Sequence, residues 1–210
     1  MRGRFITFEG GEGAGKSTQV KRLAARLEAQ GLEVVTTREP GGSPGAETIR
    51  DIVLKGAADR WSPVTETLLM YAARRDHIER VIEPALTRGA WVVCDRFADS
   101  TRAYQGAAGG TDPGLISALE THILQGVRPD LTLVFDLSPE VGLERAHARA
   151  GAEMRFESKG MAFHQRLRDG FRAIAAAEPE RCAVIDAEAP MDAVEAAVWT
   201  AVSDRLVVHG

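Results

Sequence analysis

Residues 5–18 read Phe5-Ile6-Thr7-Phe8-Glu9-Gly10-Gly11-Glu12-Gly13-Ala14-Gly15-Lys16-Ser17-Thr18. An apolar run enters the glycines, and a helical pattern, Val20, Leu23, Ala24 and Leu27, leaves them. Gly10 to Ser17 therefore fits G-x-x-x-x-G-K-[ST] in the strand, loop and helix context that gives the motif its meaning. Polyphosphate oxygens must be met by several backbone N–H groups at once, and residues without Cβ let the backbone wrap that closely. The segment from Gly10 through Gly11, Glu12, Gly13, Ala14, Gly15, Lys16 and Ser17 to Thr18 is the expected nucleotide-binding loop. The helix it opens favours an anion, Lys16 adds a point charge at the β- and γ-phosphates, and the Ser17 hydroxyl suits Mg²⁺. Lysine is otherwise scarce, four against 22 arginines, so its place in the loop is informative.

Outward from this loop the chain alternates strands and helices. Strands are expected at 32–37, 90–94, 131–137 and 182–185, besides the run at 5–8. Helical patterns cover about 46–55, 64–87, 101–107, 113–125, 139–148, a stretch ending near 178, and 191–206. Pro84 should kink or split the second of these. Continuous apolar strands between helices mean a parallel sheet covered on both faces. The fold class is α/β: a three-layer, P-loop NTP hydrolase-type fold with a five-stranded parallel sheet. Ligands of such sheets bind outside the carboxyl ends of the strands. There the chain puts Glu9 to Ser17, Arg38-Glu39, Asp95-Arg96 and Asp186.

Length and composition agree with one globular unit over 1–210, at 44% apolar and 27% charged residues. A net charge of −4 without a basic run argues against a nucleic-acid polymer as partner. No apolar run approaches the roughly 18 residues of a membrane span. Cys94 and Cys182 lie alone in apolar runs and read as reduced core thiols of a cytoplasmic protein. The five histidines show no ligand spacing. A dinucleotide-binding reading fails because G-x-G-x-x-G is missing. A GTPase reading fails because the later strands end in Asp136-Leu137-Ser138-Pro139 and Asp186-Ala187-Glu188-Ala189, without N-K-x-D. What remains is an arginine set, Arg38, Arg50, Arg74, Arg96, Arg149 and Arg155. Two polyanions brought together repel by several kcal/mol at an effective dielectric near roughly 20, and guanidinium groups suit the task of offsetting that.

These segments resemble the bacterial thymidylate kinase family over nearly the whole length. The resemblance rests on the loop, on Thr37-Arg38-Glu39-Pro40-Gly41-Gly42, on Leu68 to Arg74, on Asp95-Arg96-Phe97, and on Ser100-Thr101-Arg102-Ala103-Tyr104-Gln105-Gly106. Arg128-Pro129-Asp130-Leu131 and Pro139 to Leu143 complete it. It implies transfer of the γ-phosphoryl group of Mg-ATP to dTMP. Arg96 and Arg38 would hold the acceptor phosphate, with Glu39 and Arg50 beside them. Arg74 would meet the thymine carbonyl, while Ser100, Thr101 and Gln105 line the base pocket. Tyr104 would exclude a ribose 2′-hydroxyl, and Glu12 would reach the sugar 3′-hydroxyl. Asp95 would share Mg²⁺ with Ser17. The loop has no arginine, so a lid over about 149–157 would supply one, Arg149 or Arg155. Met70 stands where the family usually has an aromatic ring against thymine, and either Met70 or Tyr71 could face the base. The family is usually a homodimer. A P-loop kinase for another acceptor, and a nucleotide-binding module without turnover, are the alternatives.

Overall fold

The apolar runs become five parallel strands: β1 (Phe5–Gly10), β2 (Val34–Arg38), β3 (Trp91–Asp95), β4 (Leu131–Asp136) and β5 (Cys182–Asp186), in the order β2-β3-β1-β4-β5. The computed structural model describes residues 2–57, 59–148 and 155–206. Helices α1 (Lys16–Glu28), α2 (Pro44–Leu54), α3 (Pro63–His77) and α4 (Glu83–Thr87) are followed by α5 (Ala98–Thr101) and α6 (Pro113–Leu124). Then come α7 (Pro139–Ala148), α8 (Met161–Ala177) and α9 (Met191–Arg205).

Strand alternation divides the core between the two faces of the sheet. Ile6, Phe8, Leu133 and Phe135 point toward α1 and α9, where Leu23, Leu27, Val198 and Val202 meet them. Phe5, Val92 and Cys94 point the other way, toward Ile82, Leu86 and Phe97, while Val134 meets Phe163, Leu167 and Phe171 of α8. Each such fully buried side chain contributes about 1.5–3 kcal/mol. The stacked rings of Phe8 and Phe135, with centroids 5.5 Å apart, fix β1 against β4 beneath the loop. The central strands are buried up to their carboxyl ends, where Asp95 and Asp136 are half-buried, as their composition implies. The edge strands are not: β2 is half-exposed, and β5 shows Val184 and Asp186 to solvent, because each has one strand neighbour.

Register decides what meets at the carboxyl ends. Asp95 lies beside Phe8 on one side and Arg38 on the other, and Gly10 lies beside Phe135. Asp186 pairs with Asp136 at the far edge, two strands from β1, so it stays outside the cleft that the other strand ends share.

Local signals set the helix starts. Ser62 and Asp112 each accept the backbone N–H three residues on, and Pro63 and Pro113 occupy first helical positions. Pro84 does not split its helix. The chain stays helical from Pro63 to Thr87 but widens to a π-helical segment over Ile78–Ile82, with the Glu83 N–H donating to the Ile78 carbonyl. Pairing five residues back accommodates a proline that has no N–H and would crowd the carbonyl four residues before it. A second π segment, Arg102–Ala108, follows α5, so the helix expected at 101–107 begins at Ala98 and runs wide.

Candidate active site

The loop, the strand ends and residues of α2, α3, α5, the π segment after it and α7 enclose a cleft of about 370 Å³. Gly10 ends β1 at φ 131°, and a Cβ there would lie 2.4 Å from the Phe135 carbonyl oxygen; at Gly13, φ 68°, it would lie 2.0 Å from the Gly142 carbonyl oxygen of α7. Both positions admit glycine alone. The loop is thereby wedged between β4 and α7 at the opening of α1, where close backbone approach suits it to wrap an anion.

Lys16, only 7% exposed, donates through Nζ to the carbonyls of Gly10 at 3.1 Å and Gly11 at 2.6 Å. Burial, joined by the Arg96 charge, pushes its pKa down to about 8. A bound polyphosphate acts in the opposite direction. The exposed Ser17 hydroxyl donates to Asp95 Oδ2 at 2.5 Å, so a hydroxyl and a carboxylate stand together at the mouth of the loop. Among the described residues no group of three or more His, Cys, Asp or Glu side chains could hold a metal by itself. The hydroxyl and the carboxylate match the donor needs of Mg²⁺, which takes one or two protein oxygens and completes its shell with phosphate and water.

Arg96 faces the loop from the end of β3. It occupies the left-handed region, φ 72°, a conformation that costs a non-glycine residue about 1–3 kcal/mol and persists only where neighbours enforce it. Its N–H donates to the Phe8 carbonyl at 2.9 Å, its carbonyl accepts from Cys94 Sγ, and the next N–H, of Phe97, donates to Glu9 Oε1 at 2.7 Å. Glu9 also accepts from Ser100 Oγ at 2.6 Å; burial, with Asp99 nearby, pushes its pKa up to about 8. The Arg96 guanidinium donates to the Gly10 carbonyl, to Ser100 Oγ and to Glu12 Oε1, at 2.8, 3.2 and 3.2 Å.

Glu12 is ionised despite its place in an anion-binding loop. Burial works against its charge, but Arg96, Lys16 and the Tyr104 hydroxyl, which donates to Oε1 at 2.6 Å, hold its pKa below the ordinary value. The Tyr104 ring is set by Phe156, Phe163 and Phe171.

On the far wall, Arg74 is 2% exposed. It donates from Nε to Glu39 Oε2 at 2.7 Å and from its terminal nitrogens to Thr101 Oγ1 and the Phe97 carbonyl. Glu39 also binds His77 Nδ1 at 2.9 Å, so one buried carboxylate ties the loop after β2 to α3. Gln105 donates to Glu66 Oε1 at 2.8 Å. Arg50 donates to the Pro40 carbonyl at 2.7 Å, and the exposed Arg38 pairs with Glu47 at 3.2 Å. Met70 lines the cleft, whereas the Tyr71 hydroxyl turns away to Glu120 at 3.3 Å.

The family model for thymidylate kinase matches residues 8–198 of this sequence. The chain belongs to the thymidylate kinase family. It is 68% identical to the thymidylate kinase of Caulobacter vibrioides over 204 residues, which cover 97% of this chain and 98% of that one. The thymidylate kinase of Nitrobacter winogradskyi is 58% identical over 98% of this chain and 90% of its own. The crystal structure of thymidylate kinase from Ehrlichia chaffeensis superposes with a TM-score of 0.79 at 36% identity, covering 95% of this chain and 98% of that chain.

With the family established, most residues expected at its site do share one cleft: Glu12 to Ser17, Arg38, Glu39, Arg50, Met70, Arg74, Asp95, Arg96, Ser100, Thr101, Tyr104 and Gln105. Gly10, Gly11 and Thr18 support the loop from outside that cavity. Arg149 lies outside the described residues. Arg155 is buried, donating to the Val53 and Ala57 carbonyls and paired with Glu66, so here it packs against α2 and α3 and does not line the cleft. Glu66 itself escaped the sequence reading. Its signal was present, since Glu66, Met70, Arg74 and His77 recur at helical spacing and all are buried. Phe156 and Glu157 also line the cleft.

Proposed function

We infer that this thymidylate kinase family member transfers the γ-phosphoryl group of ATP to the 5′-phosphate of dTMP. A dTMP phosphate oxygen bonds to the γ-phosphorus as the bond to the β–γ bridging oxygen breaks, giving dTDP and ADP. The observation that carries this reading is one cleft lined by Lys16 and Ser17 together with Arg96, Arg74, Thr101 and Gln105. The attacking oxygen is already anionic, so no base is required. Positioning and charge compensation supply the catalysis.

The loop N–H groups and Lys16 take the ATP phosphates, and Arg96 and Arg38 take the acceptor phosphate. Lys16 exchanges its two carbonyl partners for phosphate oxygens. Ser17 and Asp95 would hold Mg²⁺, which when bound neutralises charge on the β- and γ-oxygens. Arg74, Thr101 and Gln105 meet the thymine edge, Met70 lies against its face, and Glu12 receives the sugar 3′-hydroxyl. Tyr104, held against Glu12, fills the place of a 2′-hydroxyl. Residues 1–210 act as one unit, with the segment at about 149–157 as lid and Arg149 as its arginine. A homodimer fits the exposed Ile52, Val64 and Leu68 on α2 and α3. The free buried cysteines suit the cytoplasm. No helix among the described residues is long and apolar enough to cross a membrane.

A coupled ADP-release assay with Mg-ATP tests the reading against dTMP, dUMP, UMP, AMP, GMP, CMP and shikimate. Turnover with dTMP alone, or with dTMP followed by dUMP, is expected. Preference for another acceptor, or no turnover at all, overturns it.

A further inference from the structure

Behind the phosphate-binding loop lies a second, much smaller cavity of about 20 Å³. Its polar walls are Gly11 and Glu12 of the loop, Asp136 and Ser138 after β4, and His164 and Arg168 of α8. Arg168 donates to both carboxylate oxygens of Asp136, at 2.6 and 3.0 Å, so those charges satisfy each other. His164 does not share that arrangement. It is 4% exposed, and its Nε2 has no hydrogen-bond partner among the described residues.

Burial, opposed by the nearby Glu12 charge and by the backbone of Glu157, Lys159 and Phe156, keeps the His164 ring neutral by lowering its pKa. A neutral imidazole carries its proton on one ring nitrogen and accepts at the other; the proton is assigned to Nδ1, which leaves Nε2 as an acceptor. Buried acceptors are met by protein or by ordered water, and a cavity of about 10–15 Å³ or more holds one water if polar partners converge on it. This cavity meets both conditions.

Among the described residues Glu12 alone lines both this cavity and the main cleft. Its Oε1 already accepts from Arg96 and Tyr104, and Oε2 carries no such bond among the described residues. A carboxylate oxygen has two acceptor sites. We infer that one water molecule in this cavity donates to His164 Nε2 and to Glu12 Oε2, making His164 a positioning residue for the carboxylate that receives the acceptor sugar. The second site of Oε2 then faces the 3′-hydroxyl. Held through both oxygens, the carboxylate plane cannot swing about its bonds to Arg96 and Tyr104. The inference rests on the reading of Glu12 as the sugar contact.

The test compares kcat/KM for dTMP with kcat/KM for its 3′-deoxy analogue in the full chain. Glu12→Gln should lower the preference for dTMP, and His164→Phe should lower it by about 3–10-fold, the range of one lost hydrogen bond. His164→Asn, which keeps a polar group, should recover most of the preference, and His164→Phe added to Glu12→Gln should change it no further. An unchanged ratio in Glu12→Gln removes the sugar reading and this inference with it. A reduced ratio in Glu12→Gln with an unchanged ratio in folded His164→Phe removes the inference alone. Should His164→Phe not fold, ¹⁵N NMR of His164 in the unaltered protein decides: Nε2 is expected to shift with dTMP and not with the 3′-deoxy analogue. Equal responses to the two nucleotides overturn the proposal.

Discussion

Replacing Arg155 by methionine separates two roles that an arginine in a kinase lid can have. Its side chain is buried, pairs with Glu66, and donates to the carbonyls of Val53 and Ala57 at 3.2 and 3.1 Å. Arg155→Met keeps most of the volume and removes the charge. Glu66 is then left as a buried carboxylate whose remaining contact is Gln105. Removing one partner of a buried pair costs about 3–5 kcal/mol. For a chain of this size each kcal/mol lowers Tm by about 2–4 °C, so Arg155→Met should melt about 6–20 °C lower. Adding Glu66→Gln should return part of the loss, since the stranded charge goes with it, and the double-mutant cycle measures the coupling.

Catalysis gives the opposing expectation. An arginine that stabilises the transferring phosphoryl group is worth about 10³–10⁵-fold in kcat. Because Arg155 is held by Glu66 and does not line the cleft, kcat measured well below the melting range should stay within about tenfold of the unaltered enzyme, with KM for dTMP moving a few-fold through Gln105. Differential scanning calorimetry and steady-state kinetics on the same preparation decide. A Tm within about 2 °C of the parent, combined with a thousandfold fall in kcat, would refute the reasoning and return Arg155 to the reacting phosphates.

Three further outcomes are expected. Lys16→Met should cost about 1 kcal/mol in stability, since it removes two bonds to carbonyls, yet lower kcat by orders of magnitude; near-parental turnover in the folded variant would sink the assignment of the loop. Met70→Phe should lower KM for dTMP a few-fold at unchanged kcat and Tm, because a ring specifies the base plane better than a flexible thioether; a Tm loss without tighter binding would make Met70 a packing residue. Glu9 keeps its proton in the fold up to about pH 8, against an ordinary value of 4.5, so its contribution to stability is full below about 4.5 and is lost as pH rises toward 8. The Tm difference between Glu9→Gln and the parent should therefore grow in favour of the variant from about pH 5 to pH 8, and parallel curves would contradict a protonated Glu9.

Much of the site was legible because its signals are local. Gly10 to Ser17 is one loop, and Arg38, Asp95 and Arg96 sit at strand ends that any parallel sheet gathers on one side. Long-range pairing was not legible. Arg155 finds Glu66 across 89 positions, and Arg74 finds Glu39 across 35; helical spacing marks Glu66 as core-facing, but no spacing says which charge each carboxylate meets. An arginine that meets substrate phosphates and an arginine that holds its segment against neighbouring helices have the same sequence signature. The π segments escaped for a different reason. Their side chains have ordinary helical periodicity, and only the neighbourhood of Pro84, or the packing of Tyr104 and Gln105 against the cleft, favours the wider turn. His164 looked unremarkable because burial and a missing partner are properties of the packed chain.

Glu12 shows why the charges of this cleft have to be considered together. Alone, a carboxylate among phosphate-binding N–H groups would repel the ligand, and at 4 Å and an effective dielectric of about 20 a pair of like charges costs about 4 kcal/mol. Here Arg96 and Lys16 offset it before any nucleotide arrives. The same contact holds Arg96, at a strained φ of 72°, in front of the loop. An arginine anchored in this way loses little freedom on meeting a phosphate, so the cost of orienting it is met in folding rather than in each turnover. That account implies that Glu12 and Arg96 act as one device. Removing the carboxylate should weaken both the sugar contact and the orientation of the guanidinium, and the two losses should exceed what the 3′-hydroxyl alone is worth.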